Sequence, residues 1–271
     1  MLRALLFWPI VLTFTAMGAL ADARMSVLVD VLRLPEAAQI LSDEGLTHTQ
    51  ELNTEMLNGQ GGAGFQLQVE RIYDPSLMVE MVRSELEREL EGALLEEVIA
   101  FYASDLGTQI ITLENEARRA IQDPDVEEAA RARHAELEGN DDERLALIGA
   151  YIESGDMISR NVTSAMNSNF QFLKGLAEGG AIEMTEEDML KDVTSDIDES
   201  TQDTTSWLYG YLLLAYSPLS AQDLQEYVAF SRSAAGQALN TALFAGFGKA
   251  YEDISYALGR AVALNMTAEE L

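Results

Sequence analysis

An all-α fold, a multi-helix bundle built from two related helix-corner-helix units, follows from three features of the sequence. Apolar residues recur at helical spacing along nearly the whole chain. No run of alternating apolar and polar residues bounded by hairpin turns interrupts them. One short pattern is also spelled twice, as "AFYASDLG" at 100–107 and "AFSRSAAG" at 229–236. With 48% hydrophobic residues, the chain has the material for a sizeable core.

The first element is a leader. Arg3 precedes an apolar run from Ala4 to Met17, and small residues follow around Ala19–Ala23, the pattern of a secretory signal peptide spanning 1–23. The run is too short for a comfortable bilayer span, and no later stretch is long enough, so no transmembrane anchor is expected. Cysteine is absent, which excludes disulfides and a lipid-anchored cysteine. The expected location is the periplasm of a Gram-negative bacterium, with secretion as the alternative.

Two short helices are expected at 26–33 and 35–44, separated by Leu34-Pro35, with Gly45 ending the second and another helix at 49–58. Gly59-Gln60-Gly61-Gly62-Ala63-Gly64 matches G-x-G-x-x-G, but no strand precedes it, so a flexible connector is expected rather than a phosphate cradle. Phe65, Val69 and Ile72 or Tyr73 then share one helix face.

Asp74-Pro75 reads as an N-cap and first helical residue, opening a stripe at i+4 through Met78, Val82, Leu86, Leu90, Leu94 and Val98 into the first copy of the pattern. Asp123-Pro124 starts an Ala/Glu/Arg-rich helix to about Glu138, on which His134 is expected on a solvated face. Asn140 with Glu143 offers a capping box for a helix that could run to Leu176. Thr185 with Asp188 caps a further helix through Met189 and Leu212, whose polar middle at 194–205 predicts either a helix projecting or bridging, or a loop that breaks it. The units divide the chain at 24–138 and 139–271, sharing one core.

Aligned without a gap, 90–107 and 219–236 agree at seven of eighteen positions, including Glu97/Glu226, Phe101/Phe230, Ser104/Ser233 and Gly107/Gly236. The pattern describes a corner. An apolar face ends one helix, Ser104 or Ser233 caps the next by accepting a backbone N–H, and Gly107 or Gly236 leaves room for a close neighbour. Phe101 and Tyr102 from one copy, with Tyr227 and Phe230 from the other, are the candidate binding residues of a groove between the copies, set against the plainer reading of aromatic core.

The segment "YSPLSAQDLQEYVAFSRSAAGQALN" at 216–240 resembles the signature of a bacterial exported family catalogued as domain of unknown function 2059, with its F-x-x-S-x-x-G corner. "LEEVIAFYASDLGTQI" fits the same corner. The resemblance implies a helical, exported protein and carries over no reaction and no catalytic residues. The second copy has Ser231 where the first has Tyr102.

Charge and motifs narrow the function further. Lys and Arg number 17 against 46 Asp and Glu, a net charge of −29. Removal of 1–21 takes away Arg3 alone among charged residues and leaves 16 basic side chains against 46 acidic, or −30. Such a surface repels nucleic acid and anionic lipid. There is no thiol nucleophile, and neither His48 nor His134 stands in a metal-binding or di-iron motif. G-x-S-x-G and S-x-x-K are absent, and the acids Asp192, Asp196, Asp198 and Asp203 lack the order of a calcium loop. No catalytic residue, metal or cofactor is therefore expected. The function predicted is non-enzymatic binding of a protein or peptide of the cell envelope; the alternatives are a carboxylate-dependent hydrolase of envelope glycan and a carrier of a small apolar ligand.

Overall fold

A computed structural model of the protein describes residues 12–268, with side chains from 21 to 266. The helices are α1 (Leu12–Val31), α2 (Leu34–Met56), α3 (Gly62–Ile72), α4 (Pro75–Glu89), α5 (Gly92–Tyr102), α6 (Asp105–Ala120) and α7 (Pro124–Leu137). They continue with α8 (Glu143–Ser154), α9 (Met157–Glu178), α10 (Glu186–Thr194), α11 (Ile197–Ala215), α12 (Ala221–Ser231) and α13 (Ala234–Ala268). Among the described residues there is no strand, and no helix is long and apolar enough to cross a membrane. The signal-peptide reading falls partly on residues 1–11, outside the described residues; α1 runs across its expected cleavage region at 21–23.

Local chemistry sets the helix starts. Asp74 and Asp123 each accept a backbone N–H two residues on, with proline at the first helical position. Thr185 with Asp188 and Ser220 with Asp223 form reciprocal capping boxes. At α8 the cap is Asp142, which accepts from the Leu145 N–H, and not Asn140, whose amide turns back to the Glu136 carbonyl.

Four expected boundaries are corrected. Gly45 does not end a helix: α2 continues through it, because a methyl group there would lie 2.0 Å from the Tyr73 ring, so the glycine makes room for a buried neighbour. The stripe from Met78 to Val98 belongs to two helices, broken where Leu90 turns extended and Gly92 takes φ +53°. The segment 143–176 is broken at Gly155-Asp156, where Asp156 is left-handed, and 186–212 is broken at Ser195-Asp196. Across the break at Leu90 the apolar period persists because Val82, Leu86 and Leu90 before it and Leu95 and Val98 after it face the same core.

The longest helix, α13, is the spine. It runs parallel to α9, with Ser164 near Gly248, Asn167 bonded to Glu252, and Gly179 against Ala263. A Cβ at Gly259 would lie 2.2 Å from the Phe172 carbonyl, so this crossing is built on missing side chains. On its other side α13 runs antiparallel to α4, Gly246 meeting Val82 and Ala250 meeting Met78. One apolar cluster gathers Leu28, Val82, Val98, Ile110, Ile148, Tyr216, Leu224 and Ala242, drawn from both sequence halves. A second, around Leu57, Phe65, Met78, Leu176, Leu258 and Val262, packs α2 and α3 on the far end of α13.

Candidate functional site

The corners α5–α6 and α12–α13 are built alike. Ser104 Oγ accepts the Gly107 N–H at 3.1 Å, and Ser233 Oγ accepts the Gly236 N–H at 3.1 Å. A Cβ at Gly107 would sit 2.2 Å from the Phe101 carbonyl oxygen; at Gly236 it would sit 2.2 Å from that of Phe230. The chain thus folds back on its own preceding turn in the same way twice, and backbone rather than side chain forbids a larger residue.

The two corners meet. Phe101 and Phe230 stack with ring centroids 3.9 Å apart and planes 5° from parallel, and Tyr102 stands edge-on to both. Of the four candidate aromatics, Tyr102 and Tyr227 are buried, whereas Phe101 and Phe230 are half-buried. The sequence pattern therefore places all four in one joint, with the tyrosines turned inward and the phenylalanine pair reaching the surface.

Inside the joint lies a carboxyl that no sequence motif marks. Glu114 on α6 accepts from Tyr216 Oη at 2.5 Å and from Tyr227 Oη at 3.2 Å, both on Oε1. Tyr211 donates to the Glu114 backbone carbonyl at 3.1 Å. When Glu114 is ionised it can only accept, and with the Tyr227 proton on it the contacts of Tyr227 with Tyr151 at 2.8 Å and Tyr102 at 3.5 Å run toward Tyr227. Two hydroxyls, Tyr216 just after α11 and Tyr227 on α12, thus converge on one carboxylate oxygen, with Tyr102 of α5 and Tyr151 of α8 behind Tyr227. Burial raises the Glu114 carboxyl above its ordinary range, against the opposing pull of the Tyr216 and Tyr227 hydrogen bonds. Burial likewise pushes up Tyr102, Tyr151, Tyr216 and Tyr227, with the Glu114 charge adding to it, so these phenols stay protonated donors. A signal was present in the sequence: Gly107, Ile110, Ile111, Glu114, Ala117 and Ile121 share helical spacing, which puts an acid on an inward stripe.

His134, expected on a solvated face, is a further correction. It is buried and its ring lies 4.6 Å from that of Tyr209, 8° from parallel. Gly210 explains this, since a Cβ there would come 3.0 Å from the Ala130 backbone; α7 approaches α11 closely enough to draw His134 in. Among the described residues no cluster of three His, Cys, Asp or Glu could hold a metal ion.

The class these features define is an all-helical protein whose two like corners close on one aromatic joint. Residues 77–136 match the family model described as "Uncharacterized protein conserved in bacteria (DUF2059)", so that segment is similar to the bacterial family. The matched segment runs from α4 to α7 and holds the first corner together with Tyr102 and Glu114. No curated protein and no solved structure matches the chain.

Proposed function

We propose that the protein is exported to the periplasm and acts there without catalysis, binding a protein or peptide of the cell envelope on the outer face of the joint. The observation that carries this reading is the Phe101–Phe230 pair, which stacks at the centre of the joint yet keeps part of its surface exposed. A residue used only to weld two helices would bury that area too, since apolar surface left in water is unfavourable.

The surroundings favour a partner that is both apolar and basic. Glu97 and Glu226, identical in the two copies, stand one helical turn before each phenylalanine and are exposed, with the small exposed Ala100 and Ala229 beside them. An apolar centre between two acids suits an apolar side chain flanked by lysine or arginine. The net charge of −29 would speed the approach of such a segment.

The test is photo-cross-linking in native envelope, with a photoreactive residue replacing the exposed Ala229 and a control at Glu136. The expected outcome is a partner captured from 229 and not from 136, at a basic and apolar segment, with capture lost in the E97K/E226K double variant. Equal capture from both positions, or capture indifferent to the charge reversal, would overturn the reading.

A further inference from the structure

Beside the joint, against Tyr151 and Tyr227, lies a cavity of about 50 Å³. Tyr102, Tyr151, Tyr227 and Phe230 supply aromatic walls, and the half-buried Ser154, Ser231 and Asn240 stand at its polar side. At the space one water needs, it holds a group of roughly three to five non-hydrogen atoms. Its shape alone would admit a small apolar group as readily as a polar one. The placement of protons decides between them.

Every hydroxyl on that wall has its hydrogen committed elsewhere. Tyr227 donates to Glu114, so Tyr151 and Tyr102 donate to Tyr227. Ser231 Oγ donates to the Val228 carbonyl at 2.9 Å, and Ser154 Oγ donates either to the Tyr151 carbonyl at 2.7 Å or to Ser231 Oγ at 3.0 Å. Asn240 donates through Nδ2 to the Gly155 carbonyl at 3.0 Å, which leaves its Oδ1 as acceptor. Apart from the second Asn240 amide hydrogen, the wall therefore offers oxygen lone pairs and aromatic faces. Among the described lining residues there is no lysine or arginine.

From this arrangement we infer that the cavity binds an ammonium group, primary or methylated. An ammonium brings donors and positive charge to a wall of acceptors and tyrosine rings, and cation–π attraction grows where water is excluded. The Glu114 carboxylate, one hydroxyl away through Tyr227, holds the Tyr227 proton and so leaves that oxygen an acceptor. This inference is independent of docking at the phenylalanine pair. The ammonium could be that of a small free amine or the end of a lysine side chain, and the chemistry is the same.

The experiment is an NMR titration of the full-length mature protein at constant ionic strength, following signals of Tyr151 and Asn240. The probes are methylammonium, tetramethylammonium, Nα-acetyl-lysine amide and the neutral tert-butanol. Saturable shifts with at least one of the three cations and none with tert-butanol are expected. Response to the lysine amide alone assigns the source to a side chain; response to methylammonium or tetramethylammonium assigns it to a free amine. The Y151F variant, which removes one acceptor and keeps the ring, should weaken binding about fivefold or more. S231A gives a second reading if Y151F fails to fold. Equal response to tert-butanol, no response to any cation by folded protein, or unchanged affinity in the folded variants would overturn the inference.

Discussion

Glu114 tests the residue scale most sharply. Its carboxyl is raised by burial, so folding favours the neutral acid over the charged form. The sign follows: the contribution to stability is fully present at pH below the unfolded carboxyl range and is lost as pH rises through the raised folded value. The substitution Glu114→Gln keeps an oxygen for Tyr216 and Tyr227 and removes the charge. The E114Q variant is therefore expected to melt a few degrees above the parent at pH 8, with the gap closing toward pH 4, by calorimetry at matched salt. A variant less stable than the parent at pH 8 would show that the ionised acid is a net stabiliser. At the corners, G107A and G236A each place a methyl group against a carbonyl oxygen that cannot move aside without bending the preceding helix. A cost of about 1–3 kcal/mol each in urea unfolding is expected. Helix propensity alone would give the opposite sign, a gain of up to about 1 kcal/mol.

At the scale of the element, the caps are the part of the fold that sequence displays most openly. Asp74-Pro75, Asp123-Pro124 and the Thr185/Asp188 pair each mark a helix start because the stabilising contacts are made within three residues of chain. The breaks at 90–91, 155–156 and 195–196 are much less legible. Nothing local forbids a helix through Leu90 or Ser195, and at Leu90 the inward stripe continues because the next helix lies on the same core. Gly45 misleads for the converse reason: its glycine answers to Tyr73, a residue 28 positions later, and not to its own helix. The corner aromatics are found by repetition, whereas their partners Tyr151, Tyr211 and Tyr216 sit outside the repeat and converge only in three dimensions. For the caps themselves, S104A and S233A should each cost about 1 kcal/mol, measured by chemical unfolding. Unequal costs would mean that the two corners, alike in geometry, are not alike in energy.

At the scale of the whole molecule, charge and joint act in opposite directions. With 46 acids against 17 bases the folded surface repels itself, and most ion pairs present are partly exposed and of small worth. Raising salt from about 10 mM to 200 mM shortens the screening length from roughly 30 Å to under 10 Å, so the melting temperature should rise with added sodium chloride. A fall would mean that attractive pairs such as Arg118 with Glu44, bonded at 2.6 Å through two nitrogens, outweigh the repulsion. What holds the two halves against that repulsion is the core they share and, at its edge, the stacked phenylalanines. The double-mutant cycle F101L, F230L and F101L/F230L in urea unfolding measures that contact directly, because leucine keeps most of the buried area and removes the stacking. A coupling of about 0.5–1.5 kcal/mol between the two positions is predicted. Additive single-variant costs would contradict the claim that the stacked phenylalanines help to hold the two copies together.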